Sequence, residues 1–388
     1  MVNEELIRTE FKSVFKLDDY SLYFSPGRVN LIGEHIDYNG GYVLPIAISL
    51  GTYGAVHFRD DNKIRLYSMS FKHLGVLEFS LDNIEYNKAN EWCNYVLGVI
   101  KTIQLRTANI SCGFDLLIYS DLPICSGLSS SASLEDLVAF ILNDKFHLGC
   151  SLDVFALISK DAENNFNHLS CGIMDQAAIS LGKKDHALYL NTSTLEYEYI
   201  PFVLKDENLI ILSTNKKREL TDSKYNERVE ECGKALAILK QEKECPSLCS
   251  LSMNEFNNLS NSISDDVLLR RARHCVSENE RTKDACSLLK NNDIQSFASL
   301  LDASHQSLKD DYEVTGFYLD TMVDCAHKQI GCIGARMTGA GFGGCCIALV
   351  KKENTEQFIT NVKKEFDELT GLDSTYYVVS ASEGPRQL

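Results

Sequence analysis

A serine-rich loop between an apolar run and an amphipathic run constrains the fold of this chain more than any other feature. Residues 114–119 read FDLLIY and favour a β-strand. Residues 123–137 follow and read PICSGLSSSASLEDL. Apolar side chains then recur at helical spacing, at Leu134, Leu137, Val138 and Ile141. The pattern predicts a strand, a tight loop and the start of a helix.

The composition of this loop suits a bound anion. Gly127 permits a left-handed turn, and the hydroxyls and free amides of the serines would meet at a helix N-terminus, where the helix dipole favours negative charge. No Gly-Lys-Ser or Gly-Lys-Thr follows, so the loop is not the common P-loop. Two interpretations stay open at this point: a cradle for phosphate, or an ordinary helix capped by serine.

A second polar stretch, GEHIDYNGG at residues 33–41, lies between apolar segments. Glu34, His35 and Asp37 could bind a metal, act as general acid and base, or hydrogen-bond to a polyol. The metal is the least favoured, because no second histidine or cysteine stands nearby at regular spacing. Short carboxylates and an imidazole on a glycine-shaped backbone suit the hydroxyls of a sugar, while a polar turn without a ligand is the plainest alternative.

Three further features carry less specific signals. Asp175 stands between apolar neighbours and is either a helix-start charge or a carboxylate able to orient or deprotonate a hydroxyl. Residues 334–344, GARMTGAGFGG, hold five glycines, which indicates tight turns or a close approach of backbone to a ligand or another loop. Trp92 and Tyr95 could stack on a base, but their helical spacing favours core packing.

Length and composition restrict the class of protein. A chain of 388 residues suits two domains, which we expect at 1–195 and 196–388 with a cleft between them. A net charge of −16 argues against a nucleic-acid partner. The 14 cysteines are scattered without a C-x-x-C pair, so we predict neither zinc nor a dithiol site. With no apolar run long enough for a membrane, we expect a cytoplasmic protein without membrane or obligate protein partners.

Three separated motifs can then be read together: PGRVNLIGEH at residues 26–35, GLSSSA at 127–132 and GAGFGG at 339–344. Together they resemble the galactokinases of the GHMP kinase superfamily. The likeness runs from about Phe24 to the C-terminus and includes residues 171–176, 225–228, 271–274 and 304–305.

The resemblance implies an α+β fold of two domains, the second ferredoxin-like, with the active site in the cleft between them. It implies transfer of the γ-phosphoryl group of ATP to the anomeric hydroxyl of α-D-galactose, giving galactose 1-phosphate and ADP in galactose catabolism. It makes Asp175 the catalytic carboxylate and Arg28 its partner. The residues expected to hold the sugar are Glu34, His35, Asp37, Gly172 and Tyr225. The residues expected near ATP are Ser68, Cys125, Ser126, Gly127, Leu128, Ser129, Ser130 and Ser131. Mg²⁺ would lie on Ser131 and Glu163, and the cation, Arg28 and the helix N-terminus would then supply the positive charge that phosphoryl transfer needs.

The chain departs from the usual family pattern at several positions. Cys125 stands where the family has a glycine in the phosphate loop, which here is the serine-rich loop. Ile36 stands where the family has a threonine in the sugar motif, which here is residues 33–41. Asp136 stands in place of an aliphatic residue, and Asn167 and His168 replace a more apolar pair. Two other functions therefore remain alternatives: a kinase for a related sugar such as N-acetylgalactosamine, and a catalytically weak sugar sensor on the same fold.

Overall fold

A computed structural model describes residues 4–106, 110–123, 127–169, 171–216 and 221–388. Within these ranges the helices α1 to α11 span, in chain order, Glu4–Phe15, Cys93–Arg106, Ser130–Phe146, Leu152–Asp161, Met174–Ser180, Thr221–Glu242, Met253–Leu259, Asp266–Lys290, Ile294–Asp310, Gly316–His327 and Thr355–Thr370. The strands β1 to β13 span Ser21–Asn30, Tyr42–Val43, Pro45–Phe58, Lys63–Ser68, Leu77–Ser80, Phe114–Ser120, His186–Asn191, Tyr197–Pro201, Glu207–Ser213, Cys332–Thr338, Cys345–Lys351, Thr375–Val379 and Arg386–Gln387.

The strands form three sheets. The first has the order β13-β1-β3-β6-β4-β5, the second β10-β11-β9-β12 and the third β2-β7-β8. All neighbouring strands are antiparallel except β4 and β6, which run parallel. Helices segregated against largely antiparallel sheets confirm the predicted α+β class.

The serine-rich loop adopts the predicted strand, turn and helix. Strand β6 ends at Ser120 and α3 begins at Ser130. Gly127 has a positive φ of +78°, and Ser129, just before the helix, is also left-handed at +58°. The hydroxyl of Ser133 donates to Ser25 O and Thr52 Oγ1, both at 2.9 Å, and so ties the first turns of α3 to β1 and β3. The helix N-terminus therefore has a fixed position over the first sheet.

A shared apolar core joins the first sheet to the second half of the chain. Val29 and Ile46 from the first sheet are buried in the same cluster as Phe297 and Leu301 from α9 and Ile347 from β11. The chain also returns to the first sheet at its C-terminal end, where β13 pairs with β1. The domain boundary near residue 195 remains a prediction.

Several local predictions can be compared with the structure. The helix predicted at 153–166 is α4 followed by a π-helical turn, Ala162–Phe166, which carries Glu163. The predicted final helix and strand correspond to α11 and β12. The described cysteines are free thiols, and none of the helices in the described ranges combines the length and apolar character needed to cross a bilayer.

Replacing Leu301 with alanine is expected to lower the free energy of unfolding by about 2–5 kcal/mol, because the lost side chain leaves a cavity in the shared core. Trp92 is the single tryptophan, so its fluorescence reports on the first half of the chain while far-UV circular dichroism reports on the whole. We expect both signals to move to the same lower urea concentration. A Trp92 transition that kept its wild-type midpoint while the dichroism shifted would contradict a shared core.

Candidate active site

Arg28 and Asp175 form a bidentate ion pair at the centre of the molecule. Arg28 Nε donates to Asp175 Oδ1 at 2.8 Å, and Nη2 donates to Oδ2 at 2.7 Å. Arg28 projects from β1 next to a register shift, whereas Asp175 is the second residue of α5. The arginine side chain is only 6% exposed and that of Asp175 is 34% exposed. The Asp175 carboxylate is therefore partly accessible to solvent, while the buried guanidinium of Arg28 fixes its orientation through two hydrogen bonds.

The serine-rich loop closes around this pair. Arg28 Nη1 donates to Gly127 O at 2.6 Å, and the hydroxyl of Ser129 donates to Asp175 Oδ2 at 2.5 Å. Leu128 contributes its backbone, because its side chain is buried in the shared core while its carbonyl accepts from Arg28 N at 3.3 Å. Ser130 is exposed at the first position of α3, and Ser131 follows it. The loop thus places the start of a 17-residue helix next to a charged pair.

A small cavity of about 130 Å³ opens in front of Asp175. It is lined by Arg28, Glu34, His35, Asp37, Cys171, Gly172, Met174, Asp175, Tyr225, Gly339 and Ala340. Every residue predicted to hold the sugar is in this set, together with both members of the ion pair. The cavity is smaller than the roughly 300–1,000 Å³ typical of drug-sized ligands, and its polar lining suits a compact polyhydroxy molecule.

The glycine-rich segment 339–344 explains how Glu34 is held at this cavity. Glu34 Oε1 accepts from Gly339 N at 2.9 Å and from Thr338 Oγ1 at 3.1 Å. In the described part of the chain no hydrogen bond is recorded for Glu34 Oε2, so this oxygen is available to a ligand. The glycines predicted tight turns or a close approach of backbone to a ligand or another loop. In the structure, the backbone at Gly339 and Ala340 approaches the loop that carries Glu34 and His35.

His35 is neutral and fully engaged by protein groups. Its Nε2 lies 3.2 Å from Ala340 O and its Nδ1 lies 2.9 Å from the hydroxyl of Tyr38. Because a carbonyl can only accept, Nε2 carries the proton and Nδ1 accepts from Tyr38. Burial lowers the pKa of His35 to about 3. A hydrogen bond from this ring to a sugar would have to replace one of these two contacts.

Asp37 and Gly172 depend on each other sterically. A Cβ atom at position 172 would lie 2.4 Å from Asp37 Oδ2, so only glycine leaves the carboxylate where it is. Asp37 opens onto the cavity but is otherwise enclosed by protein. Burial, together with the charges of Asp175 and Glu34, raises its pKa to about 7. Tyr225, from α6, packs with its ring 5.6 Å from that of His35 and completes this wall.

A second cavity, of about 280 Å³, lies on the other side of the start of α3. It is lined by Thr52, Ser68, Ser70, Phe71, Trp92, Tyr95, Ile118, Ser120, Leu122, Ser130, Ser131 and Leu134. Ser68, Ser130 and Ser131, three of the residues predicted to lie near ATP, line this cavity. Trp92 and Tyr95 pack against a hydrophobic core, as their spacing indicates, but they also line this cavity. Sequence spacing alone could not reveal this second role.

Ser131 and Glu163 lie close together at the start of α3, where the serine hydroxyl acts to lower the pKa of the carboxyl group. Gln176 Nε2 donates to Glu163 Oε2 at 2.8 Å. Burial raises the pKa of Glu163. The neighbouring Glu135 is fully buried, and within the described residues neither of its carboxylate oxygens has a hydrogen-bond partner; burial raises its pKa well above the ordinary value, which favours the uncharged acid. A serine hydroxyl and a carboxylate oxygen are hard oxygen ligands of the kind that Mg²⁺ takes, so Ser131 and Glu163 fit this ion.

No set of three or more metal-binding side chains is found among the described residues. A magnesium ion at Ser131 and Glu163 would therefore need further oxygen atoms from its ligand, as Mg²⁺ often does when it binds with phosphates.

Some predicted positions do not contribute to these cavities or cannot be placed. Cys125 and Ser126 lie outside the described residues. The side chain of Ile36 is buried in a hydrophobic core rather than lining the cavity. Asp136 is also buried, and it accepts hydrogen bonds from Ser159 Oγ at 2.5 Å and Ser180 Oγ at 2.6 Å. Two of the departures from the family pattern thus lie in the interior of the protein.

Replacing Asp37 with asparagine is expected to stabilise the protein by an amount that grows with pH. The pKa of Asp37 in the folded state lies above the ordinary value of 3.8. Wild type therefore takes up a proton on folding between pH 4 and 7, and the stability that the protonated carboxyl group contributes is lost as the pH rises through 7. The advantage of the variant should grow by about 3 kcal/mol between pH 5 and pH 8. Urea unfolding at both pH values measures it, and an advantage independent of pH would contradict the raised pKa.

Comparison with known proteins supports a family assignment over nearly the whole chain. Residues 9–58 match the galactokinase galactose-binding signature, residues 94–183 match the N-terminal domain of GHMP kinases and residues 285–368 match the C-terminal domain of GHMP kinases. Galactokinase of Clostridium perfringens is 50% identical, with 98% of this chain and 99% of that protein covered. Galactokinase of Clostridium acetobutylicum is 49% identical, with 99% and 98% covered.

Solved structures agree with this assignment. The crystal structure of Lactococcus lactis galactokinase complexed with galactose has a TM-score of 0.95 at 44% identity, covering 99% of this chain and 100% of that chain. The mevalonate kinase of Methanococcus jannaschii has a TM-score of 0.68 at 22% identity, covering 94% and 99%, and shows a likeness of fold alone. The predicted GHMP kinase fold is confirmed, and the chain belongs to the galactokinase family of sugar kinases.

Proposed function

We propose that the protein transfers the γ-phosphoryl group of ATP to the anomeric hydroxyl of α-D-galactose, giving galactose 1-phosphate and ADP. The observation that carries this proposal is the bidentate pair of Arg28 and Asp175, which lines the small cavity and contacts Ser129, next to the start of α3 that lines the larger cavity. Phosphoryl transfer needs an acceptor hydroxyl, an anionic donor and fixed positive charge within one small volume.

In this proposal galactose occupies the small cavity. Glu34 Oε2 and Asp37 accept hydrogen bonds from sugar hydroxyls, while Gly172 leaves room for the Asp37 carboxylate. Tyr225 covers the sugar from α6. A carboxyl group with a pKa near 7 can also donate when protonated, so Asp37 can match either polarity of a hydroxyl.

ATP would extend from the large cavity towards Asp175. The half-buried rings of Trp92 and Tyr95 offer flat apolar faces to the base. The phosphates would lie along Gly127 to Ser131, where the backbone amides and the dipole of α3 favour anions. We further propose that Cys125 and Ser126 belong to the same loop. The serine-rich loop contains no lysine, and Arg28 would supply the positive charge in its place. The guanidinium of Arg28 donates a hydrogen bond to Gly127 O in this loop.

Ser131 and Glu163 would hold Mg²⁺ beside the phosphates. When bound, the cation neutralises phosphate charge and polarises the group that is transferred. Gln176 orients the Glu163 carboxylate by its hydrogen bond to Oε2. The hydroxyl of Ser129 donates to Asp175, whereas that of Ser131 lies next to Glu163. These two serines of the loop therefore have different carboxylate partners.

Asp175 would receive the hydrogen bond of the anomeric hydroxyl and direct its oxygen at the γ-phosphorus. As the new O–P bond forms and the bond to the ADP oxygen breaks, the hydroxyl proton passes to Asp175 or leaves with the product. Arg28 fixes the carboxylate plane through two parallel hydrogen bonds and adds positive charge near the phosphoryl group. We also propose a cytoplasmic location, which the free thiols of the described cysteines support.

Pure protein with Mg-ATP should release ADP only when galactose is added, and Asp175→Asn should reduce the turnover by about 10²–10⁴-fold because the hydroxyl loses its acceptor. Calorimetry should show that the variant still binds galactose. Glucose, galactosamine and N-acetylgalactosamine are tested in parallel. No galactose-dependent ADP release from wild type would refute the proposal, and full turnover by Asp175→Asn would remove this residue from the mechanism.

Replacing Glu163 with glutamine should weaken cation binding, because a neutral amide oxygen replaces the carboxylate ligand. Binding of Mn²⁺ to the protein with ADP, followed by electron paramagnetic resonance, should show at least about a tenfold higher dissociation constant. Glu207→Gln is the matched control, since Glu207 is a buried carboxylate that pairs with Lys351 at the outer end of β9. Equal Mn²⁺ affinity in wild type and Glu163→Gln would exclude Glu163 as a ligand.

A further inference from the structure

Glu34 is held through its backbone as well as its side chain, and every group that holds it comes from the second half of the chain. Its carbonyl accepts from His274 Nε2 at 3.1 Å, and its amide donates to Glu278 Oε1 at 3.3 Å. Its carboxylate is bonded by Thr338 and Gly339. Burial lowers the pKa of His274 to about 4, so the ring is neutral and donates from Nε2.

Glu278 accepts several hydrogen bonds from this part of the chain through a single carboxylate oxygen. It projects from α8 with no exposed surface, and its Oε1 accepts from Gly33 N at 3.0 Å as well as from Glu34 N. The same oxygen accepts from Ser304 Oγ at 2.6 Å, while Arg281 Nε donates to Oε2 at 2.8 Å. Two consecutive backbone amides of the sugar motif thus share one buried carboxylate oxygen.

The charge of Glu278 is kept in the interior by its surroundings. Burial opposes ionisation, but the positive charges of Arg281 and Arg336 and the hydrogen bond from Ser304 lower the pKa of Glu278 to about 2. The other polar groups facing this carboxylate are the hydroxyl of Ser304 and the two amides. An ionised carboxylate is the strongest acceptor available for such amides.

We propose that Glu278 is a positioning residue for sugar binding, which fixes the backbone at Gly33 and Glu34 so that the Glu34 carboxylate meets the sugar hydroxyls. This inference rests on the proposed function of the small cavity. Gly33 has a φ of +98°, a conformation that glycine adopts without steric cost, and its amide donates to Glu278 Oε1 in that conformation. Glu278 does not reach the cavity itself.

The geometry makes this role separable from general stability. The described lining of the ATP cavity comes from positions between 52 and 134, whereas Glu278 contacts the sugar motif, Arg281 and Ser304. Loosening the Gly33 and Glu34 amides should therefore change the KM for galactose and leave the KM for ATP as it is.

The test compares Glu278→Ala, which removes the acceptor, with Glu278→Gln, which keeps an oxygen for the amides. Galactose binding without ATP is measured by calorimetry, and both KM values and kcat are measured by ADP release. Glu278→Ala should weaken galactose binding by about tenfold or more with an unchanged KM for ATP, and Glu278→Gln should restore part of the affinity. Ser304→Ala, a milder change to the same carboxylate, should weaken galactose binding slightly and serves if Glu278→Ala does not fold.

Asp115→Asn is the matched control. Asp115 is equally buried and paired with Arg59 and Arg65, but it lies on β6 away from the sugar cavity. It should lower the melting temperature without changing galactose affinity. Wild-type galactose affinity in the Glu278 variants would overturn the proposal, as would parallel changes in the KM values for galactose and ATP. Failure of wild type itself to bind galactose would refute the function proposed for the cavity instead.

Discussion

The ion pair between Arg28 and Asp175 is the interaction on which the rest of the site depends. Removing a guanidinium from water is costly, and leaving it unpaired in the interior costs more still. The pair is therefore stable only if β1, the serine-rich loop and α5 come together with the correct spacing. Once they do, Gly127 and Ser129 are fixed by the same two side chains. One electrostatic requirement thus places the Asp175 carboxylate next to the start of α3.

The start of the sugar motif, at Gly33 and Glu34, depends on the second half of the chain. The groups that bind these two residues come from α8 and β10 and from the glycine-rich segment after β10. Ala340 O sets the tautomer of His35, and Gly339 N orients Glu34. The small cavity is consequently lined by both halves of the chain, whereas the described lining of the larger cavity, where we propose that ATP binds, belongs to the first half. Because of this division, a substitution in the second half of the chain can change the affinity for one substrate and leave the affinity for the other unchanged.

Much of the fold and part of the site could be predicted because the signals were local. The serine-rich loop predicts its own strand, turn and helix, since hydrophobic periodicity and Gly127 act within about twenty residues. The family resemblance brought Arg28 and Asp175 together in advance, although they are 147 positions apart. The contribution of Glu278 had no such signal, because a glutamate within an amphipathic helix normally faces solvent. Trp92 and Tyr95 were equally ambiguous, since a helical stripe does not show whether a cavity lies beside it.

The sequence by itself determined the α+β class, the strand, turn and helix of the serine-rich loop, and the polar residues that line the small cavity. Only the tertiary structure decided how those residues are held: His35 with both nitrogens occupied, Asp37 with a raised pKa, and Glu34 clamped through backbone and side chain. The physical reason is that burial and hydrogen-bond partners belong to a place in space rather than to a position in the chain. A residue type fixes which bonds a group can make, and the fold fixes which of them it does make.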